Sequence, residues 1–295
     1  MEHHFDYDQN ALLDIAQIGE VERDGTIIQD LSYASPRGGR VPAYLVTPGG
    51  KGPFAAVIFG HWARRGSPTR NRTEFLEEAV ALARAGAVSL LPDAPFARPG
   101  VADDPDYFSA GNAELLAQQI VDLRRGVDLL AARGEVDGGR IAFVGHSYNA
   151  HAGGILAGVE KRIKAFVLMS GVLSFAEVMR ADDPGVVEWR EMVGEKKLAE
   201  YLSTYGWLDP ARYLGHATPA AVLLQYARDD GFLTEARIRH YFDLLSEPRA
   251  LKIYPADAGH ALNAEARRDR FDWLRAQIGL QPLAPAILDG VGEIQ

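Results

Sequence analysis

A serine stands in the middle of the stretch GHSYN, residues 145–149, directly after the apolar run IAFV at 141–144. An apolar, partly β-branched run of this length is typical of a strand buried on both faces. The order of strand, turn and helix nearly fits the G-x-S-x-G pattern, in which a strained turn exposes a serine hydroxyl and leaves the next backbone N–H free for an oxyanion. A simpler interpretation competes with this one, since Ser147 could merely cap the helix that follows.

The pattern departs from the usual one at Asn149, which stands where glycine is expected. Glycines on both sides of the serine are typical of this turn because its backbone segments approach each other closely. Asparagine at this position therefore requires additional room, and the stretch alone does not distinguish a nucleophile from a helix cap.

An acid and a histidine follow the serine in the chain. A serine hydroxyl is a weak nucleophile at neutral pH and needs a base, which a carboxylate in turn orients. When a serine stands at such a turn, the acid and then the histidine come after later strands. Residues 223–230, LLQYARDD, place acids after one predicted strand, and residues 253–260, IYPADAGH, place His260 after the next. The joint occurrence favours Ser147 as a nucleophile with His260 as its base.

These segments resemble those of the α/β-hydrolase superfamily, in particular its branch similar to dienelactone hydrolases and acetyl xylan esterases. The resemblance covers about residues 26–280. In the acid segment of that family, aspartate follows a glycine after two intervening residues, and Ala227 stands at the glycine position here. The resemblance therefore implies that Asp230 is the acid, with Asp229 as the alternative. The histidine segment is also similar, with Ala256 in place of a glycine.

The resemblance also implies where an oxyanion would bind. Two backbone N–H donors are needed, one after the nucleophile and one in the loop after an early strand. Tyr148 supplies the first, and the family pattern of histidine, glycine and a third residue corresponds to residues 61–63. The second donor is then Ala63, with Trp62 as the alternative. Because Trp62 replaces the family's glycine, this loop is expected to have its own shape.

Several residues near these positions have two interpretations. Arg64 and Arg65 follow the oxyanion segment, and a guanidinium can bind a substrate carboxylate through two hydrogen bonds. Together with Trp62 they are candidates for the substrate pocket, although a solvated loop on an acidic protein explains the same arginines. The remaining histidines near the predicted site are interpreted as structural hydrogen-bonding residues: His61, His146 and His151.

A sheet must position these side chains, and the chain has the pattern of one. From about residue 55, short apolar strands alternate with amphipathic helices, which is typical of a mostly parallel sheet with helices on both faces. Two β-rich runs at 26–34 and 40–47 precede it and predict an antiparallel pair. The sequence thus predicts a single α/β-hydrolase domain over 1–295 with about eight strands.

Three further segments complete the predicted organisation. Apolar residues at helical spacing in 10–18 predict a short helix, so that residues 1–25 form a helical N-terminal decoration. Residues 172–218 are longer than one crossover requires, and an insertion above the carboxyl ends of the strands is placed to cover a site there. We expect a small helical cap, with a peripheral insertion that touches no ligand as the alternative. Residues 281–295 are expected to form a C-terminal tail.

Composition limits the possible partners. The 295 residues include 40 acidic and 31 basic side chains, for a net charge of −9, which argues against nucleic acid or an anionic membrane as a partner. The absence of cysteine excludes a thiol nucleophile and a disulfide framework. No apolar run has the length of a signal peptide core or a membrane span, so we expect a cytoplasmic protein.

The motifs indicate neither a metal nor a cofactor, because metal-ligand spacings and a dinucleotide-binding glycine pattern are both lacking. The sequence therefore predicts a serine hydrolase that needs no cofactor and cleaves an ester or related acyl bond in a small molecule. Two alternatives stay open. The same residues are compatible with peptide, lactone or carbon–carbon bond hydrolysis, or with a binding protein that keeps a hydrolase scaffold without catalysis.

Overall fold

A computed structural model of the chain describes residues 2–102, 104–228, 230–231 and 233–292. Within these ranges a nine-stranded sheet crosses the molecule in the order β1-β2-β3-β5-β4-β6-β7-β8-β9. Its strands are β1 (Ala16–Arg23), β2 (Thr26–Ala34), β3 (Arg40–Pro48), β4 (Phe54–Gly60), β5 (Ala87–Pro92), β6 (Val136–His146), β7 (Ile163–Met169), β8 (Ala221–Ala227) and β9 (Arg249–Tyr254). The first three strands are antiparallel to their neighbours, and the strands from β5 to β9 are parallel.

Helices cover both faces of this sheet. They are α1 (Leu76–Ala83), α2 (Ala110–Ala131), α3 (Tyr148–Val159), α4 (Phe175–Met179), α5 (Pro184–Val193), α6 (Glu195–Tyr205), α7 (Glu235–Asp243), α8 (Ala264–Ile278) and α9 (Pro285–Asp289). Helices α2 and α3 pack in one apolar core, and α1 and α8 pack in a second core on the opposite face. The prediction of a mostly parallel α/β sheet with helices on both faces is confirmed.

The register of the parallel strands brings their carboxyl ends to one edge. Gly60 at the end of β4 pairs with Gly145 in β6, and His146 pairs with Met169 at the end of β7. The ends of β8 and β9 meet in the same way, where Ala227 pairs with Tyr254. The loops that follow these strands therefore lie side by side, as ligand sites in parallel sheets require.

The helix predicted for residues 10–18 is wrong. Residues from Ala16 onward form β1, which pairs with β2 and raises the number of strands from about eight to nine. Three of the four apolar side chains that suggested a buried helical face are exposed, among them Leu12 at 86% and Ile18 at 66%. So short a helix is marginal by itself, whereas pairing with β2 satisfies the backbone groups along one side of the segment.

The segment 172–218 forms the helices α4, α5 and α6, followed by short 3₁₀ turns. The segment after residue 280 contains α9, whose Leu288 is buried in the core shared with α8. In the described ranges, no helix is both long and apolar enough to span a bilayer.

Candidate active site

Ser147 occupies a strained turn between β6 and α3. Its φ of 53° and ψ of −107° form a combination that a residue with a side chain rarely adopts. Its N–H donates to the Met169 carbonyl at 2.8 Å, which fixes the turn against β7. A Cβ atom at Gly145 would lie 2.3 Å from the Asn149 carbonyl oxygen, so glycine is required there. The Ser147 hydroxyl makes no capping hydrogen bond to α3, and the helix-cap interpretation is therefore wrong.

The side chains of Ser147, His260 and Asp230 lie in one hydrogen-bonded chain. His260 Nε2 is 2.9 Å from Ser147 Oγ, and His260 Nδ1 is 2.6 Å from Asp230 Oδ2. A carboxylate can only accept, so Nδ1–H donates to Asp230 and leaves Nε2 to accept from the serine hydroxyl. The Asp230 side chain is 14% exposed and that of His260 is 37% exposed, so solvent reaches the imidazole more readily than the carboxylate. The alternative acid, Asp229, lies outside the described residues.

The two amides predicted to bind an oxyanion are those of Tyr148 and Ala63. Tyr148 opens α3, where a helix provides no acceptor for its first N–H groups. Across the described part of the chain, neither the Tyr148 amide nor the Ala63 amide donates to a protein acceptor. Trp62 differs, because its amide donates to the buried carboxylate of Glu74. That bond removes Trp62 as the alternative oxyanion donor.

The structure corrects two of the three pocket candidates. Trp62 is fully buried, stacks on His146 with a centroid distance of 5.1 Å and donates from its indole to Thr69, so it belongs to the core. Arg64 is exposed, its guanidinium lies 5.5 Å from the centre of the Trp62 ring, and it does not line the cavity onto which Ser147 opens. Arg65 lines a small cavity of about 50 Å³ that also contacts the two oxyanion candidates. The sequence could not separate these residues because a loop pattern does not specify which side chains fold inward.

A buried carboxylate that the sequence did not reveal links the loop of Trp62 and Ala63, through His146, to the loop of His260. Glu74 Oε1 lies 2.5 Å from His146 Nδ1, and His146 Nε2 lies 2.9 Å from the His260 carbonyl oxygen. Because Glu74 also accepts from the Trp62 amide, Glu74 and His146 together connect the two loops. Burial raises the pKa of Glu74, and the imidazole of His146 opposes that rise. In the sequence Glu74 follows polar loop residues just before a helix, where an acid is normally solvated, so no signal marked it.

The Asn149 side chain packs against Gly60, a glycine of the neighbouring strand β4. A Cβ atom at Gly60 would lie 2.5 Å from Asn149 Cβ, so the absence of a side chain at Gly60 makes the space. The Asn149 amide donates to the His61 carbonyl at 2.6 Å and accepts from Gln119 at 2.6 Å. Asn149 is therefore a fully satisfied buried side chain that ties α3 to the loop carrying Ala63.

His61 is buried as a neutral structural residue. Its Nδ1 lies 2.9 Å from the Trp62 carbonyl, and its Nε2 accepts from the Ala94 amide at 2.9 Å. Burial lowers the pKa of His61 to about 4, and the nearby charges of Arg70 and Arg98 act in the same direction. The interpretation of His61 as a hydrogen-bonding residue of the scaffold agrees with these contacts.

We expect His61 to make the protein less stable in acid. Its pKa is lower in the folded state, about 4, than the ordinary value of 6.5, so the unfolded chain binds the proton first as pH falls. Its stabilising contribution is complete above 6.5 and is lost as pH falls towards 4, at about 1 kcal/mol per pH unit. Urea unfolding across this range should show a shallower pH dependence for His61→Asn than for the wild type. An equivalent change at the exposed His216 should leave the slope unaltered, and equal slopes for His61→Asn and wild type would contradict the prediction.

Ser147 opens onto a cavity of about 400 Å³, which we call the catalytic cavity. Its walls are largely aromatic, and two wall residues, Val172 and Phe175, come from the segment 172–218. Ser170 Oγ and the Tyr148 hydroxyl are buried at this cavity without hydrogen-bond partners in the described part of the chain. The catalytic cavity can therefore hold an apolar group next to the serine.

No protein-family model matches the chain, and no curated protein sequence matches it. Its structure is similar to that of the acetyl xylan esterase from Paenibacillus sp. R4, with a TM-score of 0.72, 19% identity, and coverage of 90% of this chain and 89% of the other. It is also similar to acetyl xylan esterase 1 from Thermoanaerobacterium sp. JW/SL YS485, with a TM-score of 0.72, 16% identity, and coverage of 93% and 91%. The α/β hydrolase GrgF from Penicillium sp. sh18 matches with a TM-score of 0.61, 15% identity, and coverage of 85% and 99%. The predicted fold is confirmed by these likenesses.

Proposed function

We propose that this chain, which has the α/β-hydrolase fold, is a serine hydrolase that cleaves an ester or related acyl bond in a small molecule. The observation that carries the proposal is the hydrogen-bonded chain from Ser147 through His260 to Asp230, with Ser147 at a strained strand-to-helix turn. A nucleophile, a base and a group that orients the base are the parts that acyl transfer to serine requires.

In the proposed first step, Ser147 Oγ attacks the substrate carbonyl carbon while its proton moves to His260 Nε2. Asp230 accepts a hydrogen bond from His260 Nδ1 and stabilises the imidazolium that forms. The tetrahedral intermediate collapses when His260 gives the proton to the leaving alcohol, and the acyl group remains on Ser147. Water then attacks the acyl carbon by the same route, with His260 taking its proton, and the acid and free serine are released.

The negative charge on the carbonyl oxygen needs donors that are already oriented. We assign this role to the amides of Tyr148 and Ala63, since neither is engaged by a protein acceptor in the described ranges. Glu74 and His146 act as positioning residues, because they contact the backbone of the Ala63 loop and of His260 rather than the reacting atoms.

The similar structures and the walls of the catalytic cavity indicate which esters to test first. The similar structures include two proteins named as acetyl xylan esterases, which makes an acetate ester the first substrate to test. The aromatic walls of the catalytic cavity favour an ester whose acyl or alcohol part has an apolar surface. The segment 172–218 acts as a cap in this proposal, because Val172 and Phe175 face the same cavity as Ser147.

Labelling with a fluorophosphonate tests the proposal directly. We expect the reagent to bond covalently to Ser147 in the wild type, with the modified peptide identified by mass spectrometry, because His260 activates this hydroxyl alone. Ser170→Ala is the matched control, since Ser170 is a second buried serine at the same cavity. Labelling should persist in Ser170→Ala and disappear in Ser147→Ala. An unlabelled wild-type protein would favour a non-catalytic binding protein instead.

A further inference from the structure

A second and larger cavity adjoins the catalytic cavity. Its volume is about 670 Å³, against about 400 Å³ for the catalytic cavity. The two share Phe108 and Gly231 as wall residues, and Gly231 directly follows Asp230. The second cavity, which we call the outer groove, therefore lies directly beside the catalytic cavity.

The outer groove is lined mainly by apolar side chains of α4 and α5. Its wall residues from these helices include Val178, Met179, Pro184, Val186 and Trp189. The charged wall residue, Asp183, accepts a hydrogen bond from Arg237 at 2.6 Å, so its carboxylate is already neutralised. The groove thus offers an apolar surface with little to attract a charged ligand.

The shared wall residue Phe108 belongs to an aromatic cluster. Phe108 lies 5.8 Å from Trp189, 5.3 Å from Tyr201 and 5.3 Å from Phe175, measured between ring centroids. Trp189 also stacks on Tyr201 with an interplanar angle of 12°. Because these rings pack on one another, the groove is formed before a ligand arrives, and a chain that enters it exchanges water for an existing apolar surface.

We propose that the outer groove binds an unbranched alkyl chain of the substrate while the ester carbonyl lies at Ser147. The inference deepens the proposed function and rests on it. An alkyl chain fits because it needs no hydrogen-bond partner in a groove that offers few, and because its flexibility allows it to pass Phe108. The chain can belong to the acyl part or to the alcohol part of the ester, and two substrate series distinguish these sources.

The first measurement is kcat/KM for two series of esters. One series contains the p-nitrophenyl esters of acetic, butanoic and octanoic acids, and the other contains the acetates of ethanol, butanol and octanol. We expect kcat/KM to increase along one series by up to about fourfold for each methylene that the groove removes from water. The series that shows the increase identifies the part of the ester that lies in the groove.

The second measurement fills the groove without touching the catalytic cavity. Gly185 lines the outer groove in the first turn of α5, and a Cβ atom there would have no neighbour within 4 Å. Gly185→Trp should lower kcat/KM for the eight-carbon ester, relative to that for the shortest ester of the same series, by about tenfold or more. Glu188→Trp is the control, because it places the same side chain on an exposed position of α5 that does not line the groove. That control should keep the wild-type ratio.

Four results would overturn the inference, and the last of them would also overturn the proposed function. Flat profiles in both series with acetate hydrolysis intact would reject the groove and leave the proposed function standing. A Gly185→Trp variant with the wild-type ratio, or a Glu188→Trp variant with the same lowered ratio, would reject it in the same way. Failure of the wild type to hydrolyse every ester, acetate included, would reject the proposed function and the groove with it.

Discussion

Replacing Ser147 with alanine is expected to lower kcat for p-nitrophenyl acetate by about 10⁴-fold or more. The variant retains the cavity and both proposed oxyanion amides but has no atom to attack the carbonyl. A water molecule in place of the serine hydroxyl would not be held by the strained backbone turn, and it would lack the fixed 2.9 Å contact to His260 Nε2. Steady-state kinetics measure the loss, and circular dichroism with a thermal melt shows whether the fold is kept.

The controls for this prediction use the fact that catalytic groups act as a unit. His260→Ala should cost nearly as much as Ser147→Ala, and the double variant should be no worse than either single one, because each change disables the same step. Ser170→Ala, at the same cavity, should retain turnover within about tenfold. Turnover that survives in Ser147→Ala, or losses that add in the double variant, would remove Ser147 and His260 as partners.

The second large effect is on stability and arises where Gly60 packs against the side chain of Asn149. Gly60→Ala should lower the free energy of unfolding by about 3 kcal/mol, because the new Cβ would lie 2.5 Å from Asn149 Cβ. The Asn149 side chain cannot turn away without losing its bonds to the His61 carbonyl and to Gln119. In an Asn149→Gly background the same Gly60→Ala change should cost almost nothing, since the clashing atoms are gone.

Asn149→Ala provides the matched control for that cycle. Alanine removes both hydrogen bonds but keeps the Cβ atom, which is the atom nearest to the new methyl group at Gly60. Gly60→Ala should therefore remain costly in the Asn149→Ala background and become nearly neutral only with glycine at 149. Urea unfolding of the six proteins gives the coupling free energy. Equal costs of Gly60→Ala in all three backgrounds would show that the two positions do not compete for space.

The sequence carried enough information to place the candidate site because its three residues follow strand ends. Each of Ser147, Asp230 and His260 comes after an apolar run, and in a parallel sheet such runs end at one edge. The order and spacing of the three residues are therefore enough to predict that their side chains meet. The hydrogen bonds of His260 with Asp230 and Ser147 agree with this prediction. Information of this kind lies along the chain and needs no knowledge of side-chain packing.

The residues that sequence reasoning missed depend on contacts between distant segments. Glu74 looks like a solvated acid before a helix, and its burial arises only when β6 brings His146 against it, 72 residues further on. Asn149 looked like a defect until Gly60 on a neighbouring strand supplied its room. Trp62 failed as a pocket residue for the converse reason, since a fully buried indole cannot be distinguished by sequence from one that lines a cleft.

The N-terminal error has a different cause. Four apolar residues in 10–18 recur at helical spacing, yet a nine-residue pattern fits a helix and an irregular segment followed by a strand almost equally well. The conformation is determined by β2, because Ala16–Arg23 pairs with the edge of that strand and adds a ninth strand to the sheet. The spacing of apolar residues within a short segment does not predict whether a strand edge is available for pairing.

The position of Glu74 has a consequence for how the two loops move. Opening of the Ala63 loop must break the bond from the Trp62 amide to Glu74, and Glu74 is also held by the imidazole that contacts the His260 carbonyl. The two loops should therefore open as one cooperative unit, so that the Trp62 amide and the backbone around His260 exchange their hydrogens with solvent at matching rates. In Glu74→Gln, which can still accept from the Trp62 amide but no longer offers a carboxylate to His146, the rates should separate.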